Sequence, residues 1–141
     1  STQPIVRYRL DDVLVVREGP CPCGSAARAI ERIEGRQDDQ LLLPDSSGNM
    51  QVVFADACSR VMAMTLPLTA DYRLVQTGAE SLVLMADCDH SILTLCRDAL
   101  NNLFRLQGIA TSRLAWTLQS QQIAANFDAK RRRIVRQWGR E

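Results

Sequence analysis

The chain has 141 residues, 46% of them hydrophobic, and a formal net charge of +1. That length suits one ordinary domain, or the tail of a larger protein, with enough apolar side chain for a real core. So small a net charge excludes a chain built throughout to hold polyanions.

The first seventeen residues, STQPIVRYRLDDVLVVR, hold two short β-rich runs, PIVRYRL and VLVVR, around Asp11 and Asp12. They predict a hairpin or two consecutive strands. EGPCPCGS is a turn cluster of glycine, proline and cysteine. In the next segment AIERIEG (residues 29–35) predicts a strand, because Ile30 and Ile33 alone do not define a helical stripe. From residue 40 the pattern is cleaner. QLLLP and MQVVF predict strands around the turn DSSGN. In ADACSRVMAM, residues Ala57, Cys58, Val61 and Met62 recur at helical spacing, and Pro67 stops the helix. DYRLVQTG and ESLVLMA predict a hairpin turning at Gly78. SILTLCRDALNNLFRLQ predicts the longest helix. Its stripe is Ile92, Leu95, Cys96, Ala99, Leu100, Leu103 and Phe104, with Asp89 or Ser91 to cap its start and Gly108 its end. SRLAWTLQ predicts another strand, and RRRIVRQW a last strand or an extended tail. From residue 40 the order is therefore β-α-β-β-α-β. The expected class is α+β, a ferredoxin-like small domain with two helices on one face of an antiparallel sheet, preceded by a short β-rich segment. That plan serves many functions and decides none.

Charge is uneven along the chain. Residues 128–141 carry six basic and two acidic side chains, a local +4 that leaves −3 on the rest. Sixteen of the seventeen basic residues are arginine, and the single lysine, Lys130, opens the basic run AKRRRIVR. A cationic tail on a slightly acidic body points to a local anionic partner. Five cysteines are present. Cys58, Cys88 and Cys96 lie in apolar stretches and read as small core residues. Cys21 and Cys23 are candidates for half a zinc site, but zinc takes four ligands, and His90, the one histidine, sits at a helix start. The expectation is therefore no metal in this chain and a reduced turn at the pair. An odd cysteine count, no signal peptide and no apolar run of about eighteen residues give a soluble, cytoplasmic, reduced protein, with no membrane partner.

Three motifs in order carry a resemblance. YRLDD (residues 8–12) resembles the Tyr-Arg-x-Gly-Asp motif of adenylate-forming enzymes, with Asp11 in place of the glycine. EGRQDD (residues 34–39) resembles their Gly-Arg-x-Asp-Asp hinge motif. AKRRRIVR (residues 129–136) resembles their C-terminal Gly-Lys-x-x-Arg motif. CPCGS and YRLVQTGAESLVLMA look like the turn and the small-domain hairpin of the phenylacetate–coenzyme A ligase branch. The resemblance spans nearly the whole chain but only the last third of such an enzyme. No glycine-rich phosphate loop occurs. It implies that residues 1–38 are the end of the large adenylation domain with the hinge, and residues 39–141 the mobile small C-terminal domain.

The resemblance also implies a chemistry. These enzymes activate a carboxylic acid with ATP and magnesium to an acyl-adenylate, then transfer the acyl group to a thiol, that of coenzyme A or of a carrier protein. Negative charge builds on phosphate oxygens as the carboxylate approaches, and a compact ammonium reaching both stabilises that arrangement. Lys130 is the implied catalytic residue. Asp12 is implied to accept hydrogen bonds from the ribose hydroxyls and Arg36 to contact ribose or phosphate. Asp38 is the implied hinge, where one residue absorbs the domain rotation. After it, LLLPDSSGNMQVVF departs from the glycine-rich loop of many relatives. On this reading the fragment is inactive without its N-terminal domain, which is its main partner. The alternative is a freestanding ferredoxin-like module that regulates or binds a small molecule. A third reading, nucleic-acid binding by the basic tail, is disfavoured by the small net charge and by the single aromatic, Trp138, within residues 128–141.

Overall fold

A computed structural model describes residues 12–36, 40–123 and 132–139. The protein is a mixed α+β chain that divides into two compact units, Ser1–Gln37 and Asp38–Glu141. In the first, β1 (Asp12–Val16) pairs antiparallel with β2 (Ile30–Arg36). The register slips between Val13 and Leu14 and again between Val15 and Val16. Irregularities of this kind bend a ladder and raise its twist. Asp12 is thus the first residue of a strand rather than part of a turn, and PIVRYRL lies outside the described residues.

The second unit opens with β3 (Gln40–Pro44) and β4 (Met50–Phe54), an antiparallel hairpin. Its turn is built by Asp45. One carboxylate oxygen accepts the N–H groups of Ser47 and Asn49 at 2.8 and 2.9 Å, and the other accepts Gln51 Nε2 at 3.0 Å. Those donors, Gln51 first, hold the Asp45 carboxyl below its ordinary pKa. Gly48 takes φ 87° in this turn, a conformation open to glycine at little cost.

Helix α1 (Ala55–Thr65) buries Cys58 and Met62 and ends just before Pro67. The hairpin of β5 (Tyr72–Gln76) and β6 (Ser81–Ala86) follows. Helix α2 (His90–Leu106) buries Leu93, Cys96, Leu100 and Phe104. The apolar stripe is therefore centred on Leu93, and Leu95, expected on it, is 60% exposed. Of the other expected members, Ile92 and Leu103 pack at the border of the core. Asp89 occupies the N-cap position but its side chain makes no capping bond, and Gly108 at φ 81° follows the C-terminus. After α2 come β7 (Ala115–Ser120) and the short β8 (Ile134–Arg136).

The second unit carries a four-stranded sheet in the order β7-β6-β5-β8. Only β5 and β6 run antiparallel; β7 lies parallel to β6 and β8 parallel to β5. The sheet is mixed, where an antiparallel one was expected. The cause is connectivity. Helix α2 returns the chain to the end where β6 began, so β7 enters in the same direction as β6. Along the chain β4-α1-β5-β6-α2-β7 follow in the expected order, while in space, among the described residues, β4 pairs with β3 alone.

Leu82, Leu84 and Ala86 alternate inward from β6, and the core beneath them includes Leu41, Leu43, Leu74, Leu100 and Phe104, all fully buried. The Trp116 ring of β7 stacks on Phe104 at 6.2 Å and its indole N–H reaches Asn101 at 3.1 Å. Cys58 and Cys96 are sealed in this core, whereas Cys88 is only partly buried. Burial pushes the Cys58 thiol up to about 12 and the Cys96 thiol to about 11. Among the described residues no helix is long and apolar enough to cross a membrane.

Candidate functional site

Of the sequence-predicted site residues, the structure brings two opposite one another. Asp12 and Arg36 are direct partners in the β1–β2 register, at the end of the hairpin farthest from its loop. Pairing the strands of this hairpin thus carries the candidate ribose acceptor to the start of the EGRQDD motif. The Asp12 side chain is exposed. Asp38 and Lys130 lie outside the described residues, and for Arg36 the description ends at the backbone.

The basic tail is described again from Arg132, and its anchorage is clear. Leu74 N–H donates to the Arg133 carbonyl at 2.7 Å, and β8 continues in register with β5, Leu74 against Ile134 and Gln76 against Arg136. The Arg133 guanidinium donates from Nε to the Asp71 carboxylate at 3.2 Å and lies 5.5 Å from the Tyr72 ring centroid. The Tyr72 hydroxyl in turn donates to Ser59 at 3.2 Å. Burial raises the Tyr72 phenol above its ordinary pKa, against the opposing pull of the Ser59 bond and the Arg133 charge. Ile134 and Val135 are buried. The strand directly after the AKRRR run is thus fixed at the edge of the sheet by two buried aliphatics, a backbone ladder and a cation held between a carboxylate and an aromatic face.

Sequence reasoning missed Gln76, the one fully buried polar side chain among the described residues. From the end of β5 it reaches the β3–β4 hairpin. Its Oε1 accepts the Leu42 N–H at 2.9 Å, and its Nε2 donates to the Leu42 carbonyl and, at 3.0 Å, to the Gly78 carbonyl. The amide thereby stands in for a strand neighbour and ties the hairpin that opens the second unit to the main sheet. The available signal was a glutamine closing an apolar strand whose preceding residues Leu74 and Val75 are both buried.

Among the described residues no group of three or more His, Cys, Asp or Glu side chains is placed to hold a metal ion. Cys21 and Cys23 stand together as a pair with Sγ atoms 3.0 Å apart, and His90 is the exposed first residue of α2. No family model matches the chain, and no curated protein matches it.

Proposed function

We propose that the chain is the C-terminal portion of an ATP-dependent acyl-adenylate-forming ligase of the phenylacetate–coenzyme A ligase type. The observation that carries this reading is the ordered trio YRLDD, EGRQDD and AKRRRIVR. Two features support it. Asp12 and Arg36, which the resemblance assigns to the nucleotide, face each other across one antiparallel ladder. The division of the chain into two compact units also falls between positions 37 and 38 of the sequence, within the hinge motif.

On this reading Asp12 presents an exposed carboxylate able to accept both ribose hydroxyls, and Arg36 adds positive charge near the phosphates. Lys130 stabilises the negative charge that builds as the carboxylic acid approaches the α-phosphate. Rotation at Asp38 exchanges the adenylating arrangement for one that admits the thiol. The small domain is ferredoxin-like in its element order β4-α1-β5-β6-α2-β7. The acyl pocket belongs to an N-terminal adenylation domain, and magnesium accompanies ATP. The protein works in the cytoplasm, and neither nucleic acid nor membrane is its partner.

The test is the mass of the native polypeptide, detected with an antibody against this segment. A band at about three times the 15.8 kDa of the chain is expected, the size of a protein with a large upstream domain. A band at 15.8 kDa would remove the ligase reading and favour a freestanding module that binds a small molecule.

A further inference from the structure

The turn Cys21-Pro22-Cys23-Gly24 sits in the loop between β1 and β2. The Gly24 N–H donates to the Cys21 carbonyl at 2.9 Å, closing a four-residue β-turn. Pro22 occupies its second position, where the ring presets the backbone angle the turn needs. Gly24 follows at φ 79°, a conformation that strains any residue with a Cβ. This backbone places residues one and three of the turn side by side, and their Sγ atoms lie 3.0 Å apart. A disulfide needs about 2.05 Å between sulfurs, so closure requires a small approach from an arrangement the turn already holds. The pair is also accessible, Cys23 exposed and Cys21 partly so, while Cys58 and Cys96 are fully buried.

We propose that Cys21 and Cys23 form a reversible dithiol–disulfide site that exchanges with low-molecular-weight disulfides. The Cys23 thiolate attacks one sulfur of the small disulfide, whose S–S bond breaks and releases one thiolate. The Cys21 thiolate then attacks the Cys23 sulfur, and the second small thiolate leaves. Two protein thiols are oxidised, the small disulfide is reduced to two thiols, and the two protein protons pass to the departing thiolates. Cys23 is the first attacker because it is the more exposed and its pKa is lowered, chiefly by the hydrogen bond with Cys21 and then by the Ser25 backbone. The closed ring spans a single intervening residue, so it gains little from restricting the unfolded chain. So small a gain suits a labile site rather than a structural staple.

The experiment mixes the reduced 141-residue chain, kept in a metal chelator, with oxidised glutathione, quenches with iodoacetamide and maps the peptides by mass. The expected product is an unalkylated peptide two hydrogens lighter across Cys21 and Cys23, with two glutathiones released per chain. Cys21→Ser is expected to stop at a stable glutathione adduct on Cys23. Cys23→Ser is expected to form its adduct on Cys21 at least about tenfold more slowly. A wild-type peptide that carries two glutathiones, or that remains doubly alkylated, overturns the proposal. So does a single-glutathione adduct as persistent in the wild type as in Cys21→Ser.

Discussion

Replacing Gln76 with leucine keeps most of the side-chain volume and deletes every polar contact the amide makes. The bonds to the Leu42 N–H and carbonyl disappear, as do those to the Gly78 carbonyl and, at 3.4 Å, the Ala79 carbonyl. A typical intramolecular hydrogen bond contributes about 1 kcal/mol net, and a buried group left without a partner costs more. Leu42 is only partly buried, so water can recover some of its lost bonding, and the four contacts, the Ala79 one long, together give about 3 kcal/mol. For a unit of this size that corresponds to a fall of roughly 12 °C in Tm. Urea titration of the full chain measures it, followed by the fluorescence of Trp116, whose stacking on Phe104 is lost on unfolding. A loss below about 0.5 kcal/mol, the range of an ordinary surface substitution, would refute the claim that Gln76 fastens the β3–β4 hairpin to the sheet.

Three further outcomes follow from the packing and the buried thiol. Leu93→Ala removes a fully buried side chain and is expected to cost about 3 kcal/mol, read by the same titration. Leu95→Ser, on the exposed side of the same helix, should stay within about 0.5 kcal/mol; equal losses at the two positions would mean the stripe is misplaced. The Cys58 thiol, pushed up to about 12 by burial, ties stability to alkaline pH. Its neutral form is favoured in the folded state, so the stabilisation is complete below the ordinary thiol value of about 8.5 and is lost as pH rises from there towards the folded value. Cys58→Ala should therefore lose less stability than the wild type between about pH 8 and pH 10, and identical alkaline slopes would contradict the assignment.

How much was legible beforehand depended on whether the signal was local. The β3 and β4 runs, the β5–β6 hairpin around Gly78 and helix α2 follow from periodicity and turn chemistry, and each stands where those patterns put it. The stripe of α2 was misjudged at Leu93 and Leu95 because neighbouring leucines fit two rotations of the helix. Only contact with α1, β6 and β7 selects one. Beyond the β5–β6 hairpin, sheet order was not readable. The placing of β8 beside β5 joins residues far apart in sequence, and no local preference encodes it. Gln76 escaped notice for the same reason, since its partner Leu42 lies 34 residues away. At the candidate site, the resemblance of YRLDD, EGRQDD and AKRRRIVR to adenylate-forming enzymes singled out Asp12, Arg36, Asp38 and Lys130. The ladder adds that the first two are cross-strand partners, which rests on pairing and not on any motif.

The central claim turns on one side chain. In the proposed full-length ligase, carboxylate-dependent exchange of pyrophosphate into ATP would report the adenylation step alone. Lys130→Ala is expected to reduce that exchange at least about a hundredfold, the loss seen when a charge-stabilising donor is removed from a transition state, while the neighbouring Arg131→Ala leaves most of it. Exchange at the wild-type rate in Lys130→Ala would contradict the account.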